Sequence, residues 1–196
     1  DISLIAPTAG SAADRQKALE RGRLVHRLMQ ALPDIPADRR QDTAERYLAN
    51  AATEFPPAAR AAMAQQVLAI LDDKNFAEIF APGSRAEVPI VGRIARAGVG
   101  PIPVAGQVDR LAVTGDTVLI ADYKTDRIVP KRLDEVPPYV TQLALYRAVL
   151  TRVFPGKTVR AALLFTDEPK LMEVPAAAMD AALTKLSPGA KKWPKT

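Results

Sequence analysis

The chain has 196 residues, 48% of them hydrophobic and 25% charged, with 27 Lys and Arg against 22 Asp and Glu for a net charge of +5. These values match an ordinary globular protein and exclude disordered or collagen-like classes. No apolar run approaches the ~20 residues a membrane-spanning helix needs. The absence of cysteine excludes disulfides, a thiol nucleophile, a Cys-ligated zinc and an iron–sulfur cluster. His26 is the single histidine, so any bound metal must be hard and held mainly by carboxylates. The start at Asp1, without Met or a signal pattern, reads as a fragment or excised domain, cytosolic by default.

The first third reads as helices. Leu19, Leu24, Val25, Leu28, Met29 and Leu32 recur at three- and four-residue spacings, and Pro33 and Pro36 end that helix. A second amphipathic segment follows from Ala37 to Ala52. Pro56-Pro57 opens a third, which Asp72-Asp73-Lys74-Asn75 closes. From Arg85 the period shifts to two, predicting strands at Glu87 to Ile94, Val104 to Thr114 and Thr117 to Tyr123. Thr114-Gly115-Asp116 suits a tight hairpin, so the last two strands should pair antiparallel.

A polar loop from Thr125 to Pro138 leads to a helix over Tyr139 to Phe154. Strands at Val159 to Phe165 and Leu171 to Val174 and a helix at Ala176 to Leu186 follow, before a basic tail with Lys191, Lys192 and Lys195, read as mobile. The order predicts an α/β fold with a mixed β-sheet flanked by helices. Residues 1–84 form an N-terminal helical lobe carrying His26 and residues 85–196 the core, in one structural unit.

Asp109 lies between Val108 and Leu111 in an apolar strand, and Asp122 ends the run Val118 to Ala121. Charges so placed cost several kcal/mol unless paired or bound to metal. Asp122 and Lys124, two apart, project to one face while Tyr123 projects to the other. On neighbouring hairpin strands the two carboxylates can converge, with the lysine beside them. That set fits metal-assisted phosphodiester hydrolysis, because Mg²⁺ takes one or two protein carboxylates and keeps positions for water and a phosphate oxygen. The competing reading is an Asp–Lys surface salt bridge.

Gly106-x-Val108-Asp109-Arg110, Asp122-Tyr123-Lys124-Thr125 and Gln142-x-x-x-Tyr146, with His26 far upstream, resemble the RecB-type branch of the PD-(D/E)XK (restriction-endonuclease-like) nucleases. More closely they are similar to the C-terminal nuclease domains of AddA-type helicase–nuclease subunits, from the His26 helix through Leu163-Leu164-Phe165-Thr166. The resemblance implies Asp109 and Asp122 as Mg²⁺ ligands, with Mn²⁺ able to substitute, and Lys124 as the catalytic lysine. It adds the backbone carbonyl of Tyr123 and the His26 side chain as further ligands. Gln142 and Tyr146, four apart on one helix face, fall on the DNA side, and Glu87 matches a recurring acidic position ahead of the catalytic Asp. Arg110 and Arg127 are candidates for phosphate contacts or surface salt bridges.

AddB-type subunits and related CRISPR-associated nucleases carry a cysteine-ligated iron–sulfur cluster, which this chain cannot hold, so the AddA side matches better. No G-x-x-x-x-G-K-[ST] loop is present, and the resemblance to AddA implies that ATP binding and unwinding belong to a helicase region outside this chain. The resemblance implies an exonuclease acting on single-stranded DNA or unwound duplex ends in bacterial double-strand-break repair and recombination, cytoplasmic, with an AddB-type partner and no membrane. With aromatics at 5%, binding should lean on the DNA backbone and weaken with salt. The alternatives are a catalytically silent DNA-binding or docking module, and a stand-alone nuclease of the same fold.

Overall fold

The computed structural model describes residues 11–96, 99–125 and 129–186. Arg127 and the Lys191, Lys192 and Lys195 tail lie outside the described residues. Helix α1 spans Ala12–Ala31 and begins with a capping box, in which the Ser11 hydroxyl accepts from the Asp14 N–H and the Asp14 carboxylate accepts from the Ser11 N–H. The apolar stripe read from the sequence buries Leu24, Val25, Leu28 and Met29. Pro33 falls in the 3-10 turn Leu32–Asp34 that ends the helix. Helices α2 (Ala37–Ala51) and α3 (Pro57–Asp72) complete the lobe, each starting directly after a proline.

Five strands follow: β1 (Arg85–Arg96), β2 (Val99–Thr114), β3 (Thr117–Lys124), β4 (Thr158–Phe165) and β5 (Lys170–Val174). They form one sheet in chain order, antiparallel except where β3 and β4 run parallel. Helix α4 (Pro137–Val153) makes the crossover that parallel pairing requires, and α5 (Ala176–Lys185) closes the described chain. At the β2–β3 hairpin Thr114 pairs with Thr117, and Gly115 takes the positive φ of 51° the tight turn demands. β1 begins and ends beyond the range expected from alternation, and β2 begins earlier than expected but ends at Thr114 as expected; together they form a long ribbon of which only Arg110 to Thr114 also pairs with β3.

The sheet separates two apolar clusters. Ala112, Leu119, Ala121, Tyr123, Ala162 and Leu164 pack with α1, α2 and α3. Leu111, Val118, Ile120, Ala161, Leu163 and Phe165 pack with α4 and α5. The helical lobe therefore covers one face of the sheet directly. This is the mixed α/β sheet flanked by helices that the order of elements predicts. Among the described residues no helix is long and apolar enough to cross a membrane.

Candidate functional site

Face alternation along β2 is interrupted at the acidic residue. Val108 and Leu111 both belong to the cluster under α4, although strict alternation would put residues three apart on opposite faces. Their partners on β1 are Val88 and Arg85, so the interruption crosses both strands at Glu87 and Asp109. Glu87 adopts a φ of 53°, the left-handed region that non-glycine residues seldom occupy. Its carbonyl accepts from the Gln107 side-chain amide at 3.0 Å. The two carboxylates thereby turn toward α1, where His26 waits: Nε2 lies 3.2 Å from Asp109 Oδ1 and Nδ1 lies 3.9 Å from Glu87 Oε1.

The β2–β3 pairing ends at Arg110 opposite Ala121. Continuing the register by one residue puts Asp109 opposite Asp122. There the Asp109 carboxylate replaces the missing ladder partner, its Oδ2 accepting from the Tyr123 N–H at 2.6 Å. The Tyr123 side chain faces the lobe, its ring meeting His26 edge-on at 5.8 Å. Burial pushes its phenol well above the usual range.

Asp122 and Lys124 project to the opposite face, under α4. Both are essentially buried, and Lys124 Nζ sits 2.6 Å from Asp122 Oδ2. The ammonium also lies over the ring of Tyr139, 4.0 Å from its centroid. Burial drives the Asp122 carboxyl up to about 6, the nearby Lys124 charge works against that shift, and Asp109 adds to it. Burial opposes the Lys124 charge, yet Asp122, Tyr139 and Asp109 together carry its pKa upward, so it is an ammonium at neutral pH. Gln142 and Tyr146, one turn apart on α4, are both buried, and the amide of Gln142 donates to the Tyr146 hydroxyl at 3.2 Å.

These residues fit a hard divalent cation. His26, Glu87 and Asp109 each offer one ligand atom, all within 4.8 Å of one another. His26 Nε2, Glu87 Oε1 and Asp122 Oδ1 are buried without hydrogen-bond partners, and buried polar atoms left so call for a missing partner. Asp122 stands outside that trio, with Oδ2 turned to Lys124. A divalent cation, held by His26 and Asp109 with Glu87 nearby, would supply the charge to polarise a phosphate oxygen and acidify water. Lys124 can orient a water nucleophile and offset negative charge developing on phosphorus. The Asp122 carboxylate keeps that ammonium charged and fixed in place.

Three features escaped sequence reasoning. Tyr139, expected only as the start of a helix, is the floor under Lys124. Gly106 lets the Tyr146 ring lie against β2: an added Cβ would come within 2.7 Å of the ring carbon Cζ, and a glycine inside a strand signals such a close approach. Arg110 is buried, not displayed to phosphate. Its guanidinium donates to Ser84 at 2.8 and 3.0 Å and to Asp34 at 2.9 Å, tying the sheet to the end of α1.

A five-stranded mixed sheet with helices on both faces and a carboxylate–lysine pair ending a central strand defines the restriction-endonuclease-like class of nucleases. The sequence matches the PD-(D/E)XK nuclease superfamily over residues 4–193. The chain belongs to that superfamily. It is similar to the solved structure of SSO0001 at 16% identity over 92% of this chain and 89% of that one, with a TM-score of 0.35. No curated protein sequence matches the chain.

Proposed function

We propose that this domain is a Mg²⁺-dependent deoxyribonuclease, an exonuclease on single-stranded DNA, and that it serves an AddA-type helicase–nuclease in bacterial double-strand-break repair. The observation that supports the reading is that the adjoining ends of β2 and β3 carry Asp109, beside His26 and Glu87 on the lobe side, and the buried Asp122–Lys124 pair under α4. Asp109 and Asp122, with His26 and the Tyr123 carbonyl, are the proposed Mg²⁺ or Mn²⁺ ligands, and Lys124 is the catalytic lysine. Gln142 and Tyr146 line the DNA side. In this reading an attached helicase consumes ATP and feeds the strand, and an AddB-type subunit completes the assembly in the cytoplasm.

Degradation of end-labelled linear single-stranded DNA by the purified chain tests the proposal, with Mg²⁺, with EDTA, and with Asp122→Ala in parallel. Cutting that needs the metal and disappears in the variant is the expected result. Metal-dependent cutting that survives in a folded Asp122→Ala chain would overturn the assignment of the centre. The second reading, a silent DNA-binding or docking module, retains the fold but has no saturable site for Mg²⁺ or Mn²⁺. The buried Asp122–Lys124 pair speaks against it, since such a pair is costly to keep where apolar residues would pack as well.

A further inference from the structure

We propose that Glu87 is a positioning residue for His26, its carboxylate facing Nδ1 and holding the imidazole in the tautomer that leaves the Nε2 lone pair free for the cation shared with Asp109. The proposal rests on the metal-centre reading above and assigns a role to a residue that acts through another. The two ring nitrogens face two different carboxylates, Nδ1 toward Glu87 at 3.9 Å and Nε2 toward Asp109 at 3.2 Å. The shorter contact is not a hydrogen bond, because Nε2 is buried and has no hydrogen-bond partner despite its proximity to Asp109. Adjacent ligands around an octahedral Mg²⁺ at ~2.1 Å are about 3.0 Å apart, so the Nε2–Asp109 edge has the spacing of two ligand atoms aimed at a common point.

Nδ1 requires a different partner. Glu87 Oε1 is buried and also lacks a hydrogen-bond partner, and a movement of about 1 Å brings its 3.9 Å separation from Nδ1 to hydrogen-bond length. The backbone is committed to that aim: Glu87 is the one non-glycine with a positive φ among the described residues, and the Gln107 amide secures its carbonyl. A histidine that binds metal through one nitrogen commonly donates the other N–H to a carboxylate, which fixes the tautomer and raises the basicity of the ligating atom. The interruption of alternation across β1 and β2 is what places a carboxylate on each side of the ring.

Because His26 is the only histidine, its imidazole nitrogen-15 signals report the tautomer without ambiguity. The experiment records them for the metal-free full chain at alkaline pH, where imidazoles are neutral, and measures Mn²⁺ affinity by calorimetry for wild type, Glu87→Gln and Glu87→Met. The expected result is a predominantly Nδ1–H wild type. Glu87→Gln, which keeps an acceptor oxygen, retains that tautomer with a small loss of affinity. Glu87→Met, of similar length without an acceptor, shifts toward Nε2–H and binds Mn²⁺ about tenfold more weakly.

A loss of affinity equal in both variants, with the tautomer unchanged, would make Glu87 a direct ligand and overturn the proposal. Tautomer and affinity both indifferent to Glu87→Met would overturn it as well, while leaving the metal centre intact. A wild-type chain that binds no Mn²⁺ overturns the metal-centre reading itself and the proposal with it, so the two failures are distinguishable.

Discussion

Replacing Asp122 by Asn should change how stability responds to pH in the metal-free protein. In the unfolded chain this carboxyl ionises near its ordinary 3.8, and in the folded chain burial raises that to about 6. Between these values the native state holds a proton that the unfolded state has lost, so the stability contributed by the group falls as pH rises through the window. The interval spans roughly two pH units and, at about 1.4 kcal/mol per unit, corresponds to about 3 kcal/mol. Urea denaturation in EDTA from about pH 4 to about pH 6.5, for wild type and Asp122→Asn, isolates the effect as the change in their difference. The variant carries a constant offset from leaving Lys124 without its anionic partner, but not the Asp122 slope. Saturating Mg²⁺ should reduce the wild-type decline, because the cation favours the ionised carboxylate. Parallel stability curves for the two proteins across this range would refute the argument that burial dominates Asp122.

Other perturbations test separate parts of the structure. Lys124→Met should lower single-stranded DNA cleavage by about 10²- to 10³-fold, in line with removal of one stabilising donor in a transition state, with Mn²⁺ binding retained by calorimetry. A Lys124→Met enzyme as fast as wild type would remove the lysine from the chemistry. Gly106→Ala forces a methyl against the buried Tyr146 ring and should cost about 1–3 kcal/mol in urea denaturation. Partial recovery in the Gly106→Ala/Tyr146→Leu double variant would locate the clash. Arg110→Ala removes hydrogen bonds to Ser84 and Asp34 and should destabilise by about 2–3 kcal/mol. A loss below about 0.5 kcal/mol, the range of surface substitutions, would show that the guanidinium is not what ties the lobe to the sheet.

The elements were legible because their signals are local. The spacing of Leu24, Val25, Leu28 and Met29, the Pro56-Pro57 start of α3, and the Gly115 turn each act within a few residues. The shared face of Asp122 and Lys124 followed from strand period alone, and the common helix face of Gln142 and Tyr146 from their four-residue helical spacing. What strict period two could not show was the interruption at Glu87 and Asp109, where a left-handed glutamate and a broken alternation re-aim both carboxylates toward the lobe. Alternation suggests that Asp109 and Asp122 simply converge. In the structure Asp109 reaches His26 and the Tyr123 N–H, while Asp122 faces Lys124. The burial of Arg110 and the seat of Lys124 over Tyr139 depend on contacts distant in sequence, with Asp34 and with α4, and no neighbouring residue announces them.

The centre draws its groups from both layers that cover the sheet. His26 arrives with α1 on one face, whereas Lys124 and Asp122 are enclosed by Tyr139 and its neighbours on α4 on the other. In chain order α1 comes first, then the β1–β2 ribbon and β3, and α4 follows them. Until α4 docks, Asp122 and Lys124 stand open to water, where an exposed ion pair holds little fixed geometry. A chain made only as far as β3 therefore carries Asp109, Asp122 and Lys124 without the organised centre.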